Sequence, residues 1–264
     1  MDAASPPAPP LRVAAIQHDV VWEDRAANLA RLEPQVGRAA AAGARLVVLT
    51  ELFSTGLSLR TDVVAEPPEG PSTQWLAERA AHHDVWLAAT VAERRDASAK
   101  PANTLVLVGP DGTRHRYDKI HPFTYSGEAD RFAAGDRLVT ATVDGVRLGL
   151  FVCFDLRFAD ELWALARDVD AYLLPASWPA ARRRHWTTLL DARAVENLAY
   201  VVGVNRVGQV PDGPSYAGDS RIVGPLGEVL ASAEQVETIL LADLDPAAVT
   251  AARERYGFLE DRRD

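Results

Sequence analysis

Short strand-like segments alternate with helical ones along most of this chain, and this alternation limits its possible folds more than any other feature. Residues 11–17, LRVAAIQ, are a short apolar run, and an Ala-rich stretch from about 28 to 42 follows with helical spacing. Two further apolar runs, residues 45–51 and 85–93, flank a helical segment at 72–83 with Ser72 as its expected N-cap. Strands that alternate with helices are covered by those helices, so the pattern predicts an α/β fold.

The pattern of three other segments predicts two strands around a tight turn in each. They are residues 103–119 around GPDG, 138–154 around DG, and 220–233 around GPLG. Hairpins make antiparallel neighbours, so the sheets should be mixed. About a dozen strands and four or five helices, with residues 200–208 counted as one strand, fit two stacked sheets better than one doubly wound sheet. We therefore expect a four-layer α-β-β-α sandwich in which residues 11–264 form a single domain, preceded by a flexible arm, residues 1–10.

Composition narrows the function classes. The formal net charge of −9 argues against nucleic acid, because phosphate binding needs clustered Lys and Arg. No stretch reaches the roughly 18 consecutive apolar residues of a membrane span, so we expect no membrane insertion. One cysteine among 264 residues cannot form an internal disulfide, which favours a reducing cytoplasm. The six His are scattered, and the sequence shows no metal signature.

Three residues of complementary chemistry follow or end apolar strands. Glu51 comes after RLVVLT, Lys119 ends RHRYDK, and Cys153 ends GLFV. Taken singly, each has a plainer interpretation, because charged residues commonly begin loops and a lone cysteine commonly packs as a small hydrophobe. Together they suit nucleophilic attack on an amide or nitrile carbon. A carboxylate can take the thiol proton, while an ammonium and the N–H of Phe154 stabilise the oxyanion.

The segments that carry these residues resemble a known family. TELFSTG at 50–56, YDKIHPF at 117–123 and CFDLRF at 153–158 are similar, in order and spacing, to the three signature segments of the nitrilase superfamily of carbon-nitrogen hydrolases. The resemblance extends over nearly the whole chain except the N-terminal arm. It implies the α-β-β-α sandwich, a Glu-Lys-Cys triad on the three residues named above, no cofactor, and pairing of subunits into a homodimer.

Many members of this superfamily carry a second glutamate between the lysine and cysteine segments. Glu128 stands in the matching place, in SGEADRFAAGD, with Asp130 and Asp136 as acidic neighbours. A solvated loop carboxylate is the alternative interpretation. A second carboxylate near Lys119 would keep the ammonium protonated and directed at the substrate. We expect Glu128 to have this role.

The expected substrate is the amide of a small carboxylated acid, since the segments look most similar to the branch of omega-amidases and amidases of deaminated glutathione. The expected products are a carboxylic acid and ammonia, formed through a thioester on Cys153. Arg157 or the run of arginines at 182–184 is a candidate for binding the substrate carboxylate, although an ion pair with Asp155 or Asp160 would also explain Arg157. Further candidates for shaping the substrate site are Phe123, Tyr125, Phe154 and Trp178.

The sequence leaves three alternatives open. His121, two residues beyond Lys119, is a candidate base for a Cys-His hydrolase. An acyltransferase would pass the thioester to an amine instead of water. A catalytically silent relative would serve as a scaffold subunit. The sequence also leaves open whether the substrate is an amide or a nitrile, with CFD in place of a CWE-like segment favouring an amide.

Overall fold

The computed structural model describes residues 9–263, so most of the expected N-terminal arm lies outside the described residues. The first of two sheets has six strands in the order β13-β1-β2-β3-β4-β5. Its strands are β1 (Leu11–Gln17), β2 (Leu46–Val48), β3 (Trp86–Glu93), β4 (Ala102–Val108), β5 (Arg114–Asp118) and β13 (Thr238–Leu244). Strands β1, β2 and β3 run parallel to one another, while β13, β4 and β5 pair antiparallel with their neighbours. The sheet is therefore mixed, as predicted.

The second sheet has seven strands in the order β10-β11-β9-β8-β7-β6, with β12 also paired to β11. Its strands are β6 (Thr140–Val143), β7 (Val146–Leu150), β8 (Ala171–Ala176), β9 (Tyr200–Asn205), β10 (Val207–Gln209), β11 (Ser215–Val223) and β12 (Val229–Glu234). Its centre, β7 to β9, is parallel, and the antiparallel strands β6 and β11 flank it. The single strand expected at 200–208 is therefore two strands, with Arg206 between them.

Seven helices lie within residues 9–263, more than the four or five expected, because two of them have only four residues each. They are α1 (Arg25–Ala41), α2 (Thr61–Val64), α3 (Pro71–His83), α4 (Glu128–Arg131), α5 (Ala159–Ala164), α6 (Arg183–Asn197) and α7 (Pro246–Tyr256). The N-cap of α3 is Gly70, with Pro71 at the first helical position, and not Ser72. The Ser72 hydroxyl instead donates to Ser54 Oγ at 2.8 Å. No helix in this part of the chain has both the length and the apolar character needed to cross a membrane.

Burial on both faces of the first sheet explains the layers. Along β1, Val13 and Ala15 belong to the apolar core between the two sheets, while Ala14 and Ile16 belong to a separate core beneath α1 and α3. Successive strand residues point to opposite faces, so a strand covered on both sides must be apolar at nearly every position. Trp186 and Leu190 of α6 pack on the outer face of the second sheet. The four-layer α-β-β-α fold class is confirmed.

Candidate active site

Strand ends bring the three singled-out residues to one edge of the sandwich. Glu51 follows β2, Lys119 follows β5 directly, and Cys153 begins a short 3-10 turn after β7. The side chains of Glu51 and Lys119 are 0% and 1% exposed, and Cys153 is 7% exposed. The N–H of Ser177, just beyond β8, donates to Glu51 Oε2 at 2.7 Å, so the two sheets are joined at this edge.

The ammonium of Lys119 lies between two buried carboxylates. Its Nζ donates to Glu51 Oε1 at 2.8 Å and to Glu128 Oε1 and Oε2 at 2.9 and 2.8 Å. The other two acidic candidates of the same segment, Asp130 and Asp136, are exposed. Glu128 also accepts from the N–H of Phe123 at 2.8 Å, which ties the loop after Lys119 to the same carboxylate. The structure therefore brings Glu51, Lys119 and Glu128 together.

Asn103, which the sequence reasoning missed, lies beneath this cluster. Its Nδ2 donates to Glu51 Oε1 at 2.8 Å and to Glu128 Oε1 at 3.1 Å, and its backbone carbonyl accepts from the N–H of Lys119 at 3.0 Å. Its side chain is fully buried. An amide near the start of β4, whose last four residues are apolar, was the signal available in the sequence. One donor that serves two like charges holds both carboxylates at a fixed separation around the ammonium.

The Cys153 thiol is placed on a tight backbone turn. Its φ of 47° is in the left-handed region, which residues other than glycine seldom adopt, and such strain is common where a side chain is held for function. Burial raises the pKa of the thiol well above its ordinary value, the charge of Glu51 raises it further, and Lys119 lowers it. The resting thiol is therefore neutral at neutral pH and needs a base to become a nucleophile.

The charge state of Lys119 follows from opposing effects. Burial lowers the pKa of its ammonium, but the carboxylates of Glu128 and Glu51 raise it more, and the net shift is upward. Lys119 is consequently a permanent cation in the physiological range. A fixed cation beside the thiol suits stabilisation of negative charge that develops on a reacting carbonyl oxygen.

Asp155 joins the cysteine turn to the lysine loop. Its Oδ2 accepts from the N–H of Val152 at 3.0 Å and its Oδ1 accepts from the N–H of His121 at 2.9 Å. The Tyr117 hydroxyl donates to the same carboxylate. Burial raises the pKa of Asp155 to about 6, with Lys119 and these donors acting in the opposite direction. This carboxylate holds the backbone on both sides of the reactive groups.

A narrow cavity of about 20 Å³ opens at the thiol. It is lined by Phe123, Cys153, Phe154, Arg157, Ser177, Trp178, Pro179 and Arg182. Four of the five predicted substrate-site residues line it. The fifth, Tyr125, instead lines a larger adjoining groove and is 86% exposed. The rings of Phe123 and Phe154 lie 4.5 Å apart between centroids, so the cavity is bounded by flat apolar surfaces.

Two guanidinium groups flank this cavity. Arg157 lies over the ring of Trp178, 4.9 Å from its centroid, and Arg182 lies over Phe123 at 5.0 Å. Within residues 9–263, neither has a carboxylate within ion-pair distance, so the ion pair considered for Arg157 does not form. Arg183 is paired with Asp219, and Arg184 is exposed. Two cations without counterions can accept an anionic group of a ligand.

His121, the alternative base, contacts Glu161 and Phe158. Its Nε2 lies 2.7 Å from Glu161 Oε1, and its ring stacks on Phe158 with centroids 3.5 Å apart. It does not line the cavity at Cys153. As for metals, residues 9–263 contain no group of three or more His, Cys, Asp or Glu side chains arranged to hold an ion.

Two elements support the cavity from behind. Arg193 of α6 forms an ion pair with Glu196 at 2.9 Å and also donates to the carbonyl of Leu156 at 3.0 Å, within the cysteine turn. Asn205 at the end of β9 accepts from the N–H of Trp178 at 2.7 Å and donates to its carbonyl at 3.0 Å.

This fold, with a carboxylate, an ammonium and a thiol at one sheet edge, defines a nitrilase-like hydrolase. The family described as Carbon-nitrogen hydrolase matches residues 12–254. Omega-amidase YafV of Escherichia coli K12 is 35% identical, over 96% of this chain and 97% of the relative. The 2-oxoglutaramate amidase of Paenarthrobacter nicotinovorans is also 35% identical, over 96% of this chain and 90% of the relative.

Among solved structures, the CN-hydrolase superfamily protein XC1258 from Xanthomonas campestris superposes with a TM-score of 0.91 at 32% identity, over 97% of this chain and 98% of the other. The chain belongs to the carbon-nitrogen hydrolase family, and the resemblance drawn from three short segments is confirmed.

Proposed function

We propose that this enzyme hydrolyses the primary amide of a small carboxylated compound to a carboxylic acid and ammonia, with Cys153 as nucleophile. The observation that carries the proposal is the contact of Lys119 with both Glu51 and Glu128 beside the cavity at the thiol. Relatives named omega-amidase and 2-oxoglutaramate amidase support an amide as the substrate.

In the first half of the reaction, Glu51 takes the thiol proton as the sulfur attacks the amide carbon. A carbon–sulfur bond forms, and the carbonyl electron pair moves to the oxygen. The ammonium of Lys119 and the N–H of Phe154 stabilise this oxyanion. Glu128 keeps Lys119 charged and oriented, which its two hydrogen bonds to Nζ support.

The protonated Glu51 then donates its proton to the leaving nitrogen. The carbon–nitrogen bond breaks, ammonia departs, and an acyl-thioester remains on Cys153. Glu51 next takes a proton from water, whose oxygen attacks the thioester carbon. The carbon–sulfur bond breaks, the acid leaves, and the sulfur recovers a proton from Glu51. General acid–base help of this kind contributes roughly a hundred- to ten-thousandfold in rate.

Arg157 and Arg182 are the groups that bind the substrate carboxylate in this proposal. Both guanidiniums border the cavity, and burial, followed by the nearby charge of Arg182, lowers the pKa of Arg157. An incoming carboxylate relieves this repulsion. The CFD segment at Cys153, in place of a CWE-like segment, favours an amide over a nitrile.

The alternatives receive less support. His121 is engaged with Glu161 and stacked on Phe158, which weighs against a histidine base. A silent scaffold has no need for a fully buried ammonium between two carboxylates, an arrangement whose desolvation cost is high. Acyl transfer shares every step up to the thioester and differs only in the acceptor.

We also propose that the protein forms a homodimer in the cytoplasm. Val195 of α6 and Tyr256 and Phe258 at the end of α7 expose large apolar side chains, and Arg253 of α7 donates to the carbonyl of Asn197 at the end of α6. We expect this surface to pair two copies into a homodimer, and analytical ultracentrifugation measures that state. A free thiol nucleophile is kept reduced in the cytoplasm, and we propose this compartment for the protein.

Ammonia release from a panel of small primary amides, with and without a carboxylate, tests the function. We expect turnover by the wild-type protein and no measurable turnover by Cys153→Ala or Glu51→Gln, with circular dichroism unchanged. Glu78→Gln, at an exposed position of α3, is the control and should keep full activity. Mass spectrometry should trap an acyl adduct on Cys153. Turnover that survives in Cys153→Ala would remove the covalent mechanism, and silence of the wild-type protein across the panel would favour the scaffold.

A further inference from the structure

An apolar groove adjoins the catalytic cavity and has no part in the chemistry above. Its volume is about 670 Å³, within the range of roughly 300–1,000 Å³ typical of ligand pockets. Its wall includes Trp22, Leu57, Leu59, Tyr125, Val210 and Tyr216. The groove and the cavity share Phe123, Ser177, Pro179 and Arg182. The two spaces are therefore continuous, and a substrate bound at the thiol reaches the groove.

Burial decides which end of an amide substrate faces the groove. The leaving nitrogen must lie within hydrogen-bond reach of Glu51, which is 0% exposed, as is Glu128. A bulky substituent on that nitrogen has no space there. The acyl group lies on the open side of Cys153, where Arg182 and Pro179 lead into the groove. Only the acyl part can extend into it.

Charge decides what kind of group the groove accepts. Arg157 lines the cavity and Arg182 lines both the cavity and the groove, so their guanidiniums lie at the neck between the two spaces. Arg157 Nη2 lies 3.0 Å from His185 Nδ1, but within residues 9–263 neither guanidinium has a carboxylate at ion-pair distance. A substrate carboxylate is therefore held at this neck and not further along the groove. Beyond the neck, the other charged residues in the wall are Glu23 and Arg60, which neutralise each other in an ion pair of 2.8 Å. The remaining wall is mainly apolar and aromatic, which favours an uncharged hydrophobic group.

We infer that this enzyme takes primary amides whose acyl group carries an apolar or aromatic arm next to the carboxylate, with the arm in the groove. The inference rests on the proposed function and narrows its substrate class. Burying a phenyl group in such a groove should raise kcat/KM by about ten- to a hundredfold over the unsubstituted amide.

The test compares glutaric acid monoamide with the same compound bearing a benzyl group on the carbon that carries the carboxylate. Ammonia release gives kcat/KM for each, and the ratio of benzyl to unsubstituted compound is the measured quantity. We expect a ratio of at least about ten for the wild-type protein. Ala181→Trp, an exposed position in the groove wall, should bring the ratio close to one by filling the groove.

Two further variants keep the result interpretable. Leu226→Trp places the same bulk on the exposed turn between β11 and β12 and should leave the ratio unchanged. If Ala181→Trp does not fold, Tyr125→Ala removes the outer wall and should lower the ratio several-fold. A wild-type ratio of one or below overturns the inference, including the case in which a second copy of the chain fills the groove, while the proposed function stands. If neither compound nor any amide of the wider panel releases ammonia, the proposed function itself is contradicted.

Discussion

The Tyr117 hydroxyl donates a hydrogen bond of 2.8 Å to Oδ2 of Asp155, so the strand that leads to Lys119 is joined to the turn that begins with Cys153. Both side chains are buried. The ionised carboxylate accepts three donors in all, one from Tyr117 and two from backbone N–H groups. The separation of the ammonium and the thiol therefore depends on Asp155 remaining ionised.

Activity should fall as the pH drops through about 6, where Asp155 takes up a proton and loses part of its capacity to accept hydrogen bonds. Because its pKa in the folded protein lies above the ordinary 3.8, this group contributes stability below that ordinary value and loses the contribution as the pH rises through about 6. Protonation of Asp155 should thus lower activity near pH 6 without lowering the free energy of unfolding. In Asp155→Asn, kcat should be lower than in the wild-type protein by up to about tenfold across the pH range. The fall in activity near pH 6 should be absent from this variant. If the fall in activity near pH 6 persists in the variant, another group causes it.

Removal of the second carboxylate should impair catalysis through Lys119. Glu128→Gln removes one of the two charges that keep the ammonium protonated, and we expect kcat to fall by roughly a hundredfold or more with a smaller change in KM. Asp130→Asn, an exposed position of the same short helix α4, is the matched control and should retain wild-type kinetics. Equal losses in the two variants would show that the loop, and not the charge, is what matters.

Asn103 should act as a positioning residue. Asn103→Ala leaves the Glu51 and Glu128 carboxylates without their shared donor, and hydrogen bonds to charged groups contribute roughly 1.5–3 kcal/mol. We expect kcat to fall by about ten- to a hundredfold, with KM nearly unchanged. The same substitution at Asn197, a buried amide on α6 whose Nδ2 donates to the carbonyl of Arg193, provides the comparison for loss of a buried hydrogen bond away from the site. Steady-state kinetics and thermal unfolding on both variants separate catalysis from stability.

Substitution of the flanking arginines should discriminate between charged and uncharged substrates. In Arg157→Met, KM for a carboxylated amide should rise about tenfold, because a hydrogen-bonded charge pair is lost, while KM for an uncharged amide of equal length stays within about twofold. Arg182→Met should act in the same direction. Arg184→Met, at an exposed position of α6, should change neither. Parallel increases for both substrates in Arg157→Met would mean that Arg157 shapes the cavity without binding the carboxylate.

Much of the fold could be predicted from the sequence, because buried positions recur with the period of the strand or helix that contains them. Strands covered on both faces, such as β1 and β2, are apolar at nearly every position, and Gly-containing turns mark the hairpins. Boundaries were less accessible. Ser72 has the chemistry of an N-cap, but Pro71 is compatible with the first helical position, and α3 begins there. Arg206 lies between β9 and β10, and its guanidinium donates to Asp19 at 2.8 Å, a contact 187 residues away along the chain.

By itself, the sequence determined the order of strands and helices and the chemical types at three strand ends, since both are local properties. Whether Glu51, Lys119 and Cys153 meet was decided only by the stacking of two sheets. Asn103 and Asp155 took their roles from neighbours distant in the chain, and the choice of Glu128 over Asp130 depended on which carboxylate the short helix turned inward. Such contacts depend on packing between distant segments, which a local sequence pattern does not predict. The same packing forms the groove beside the thiol.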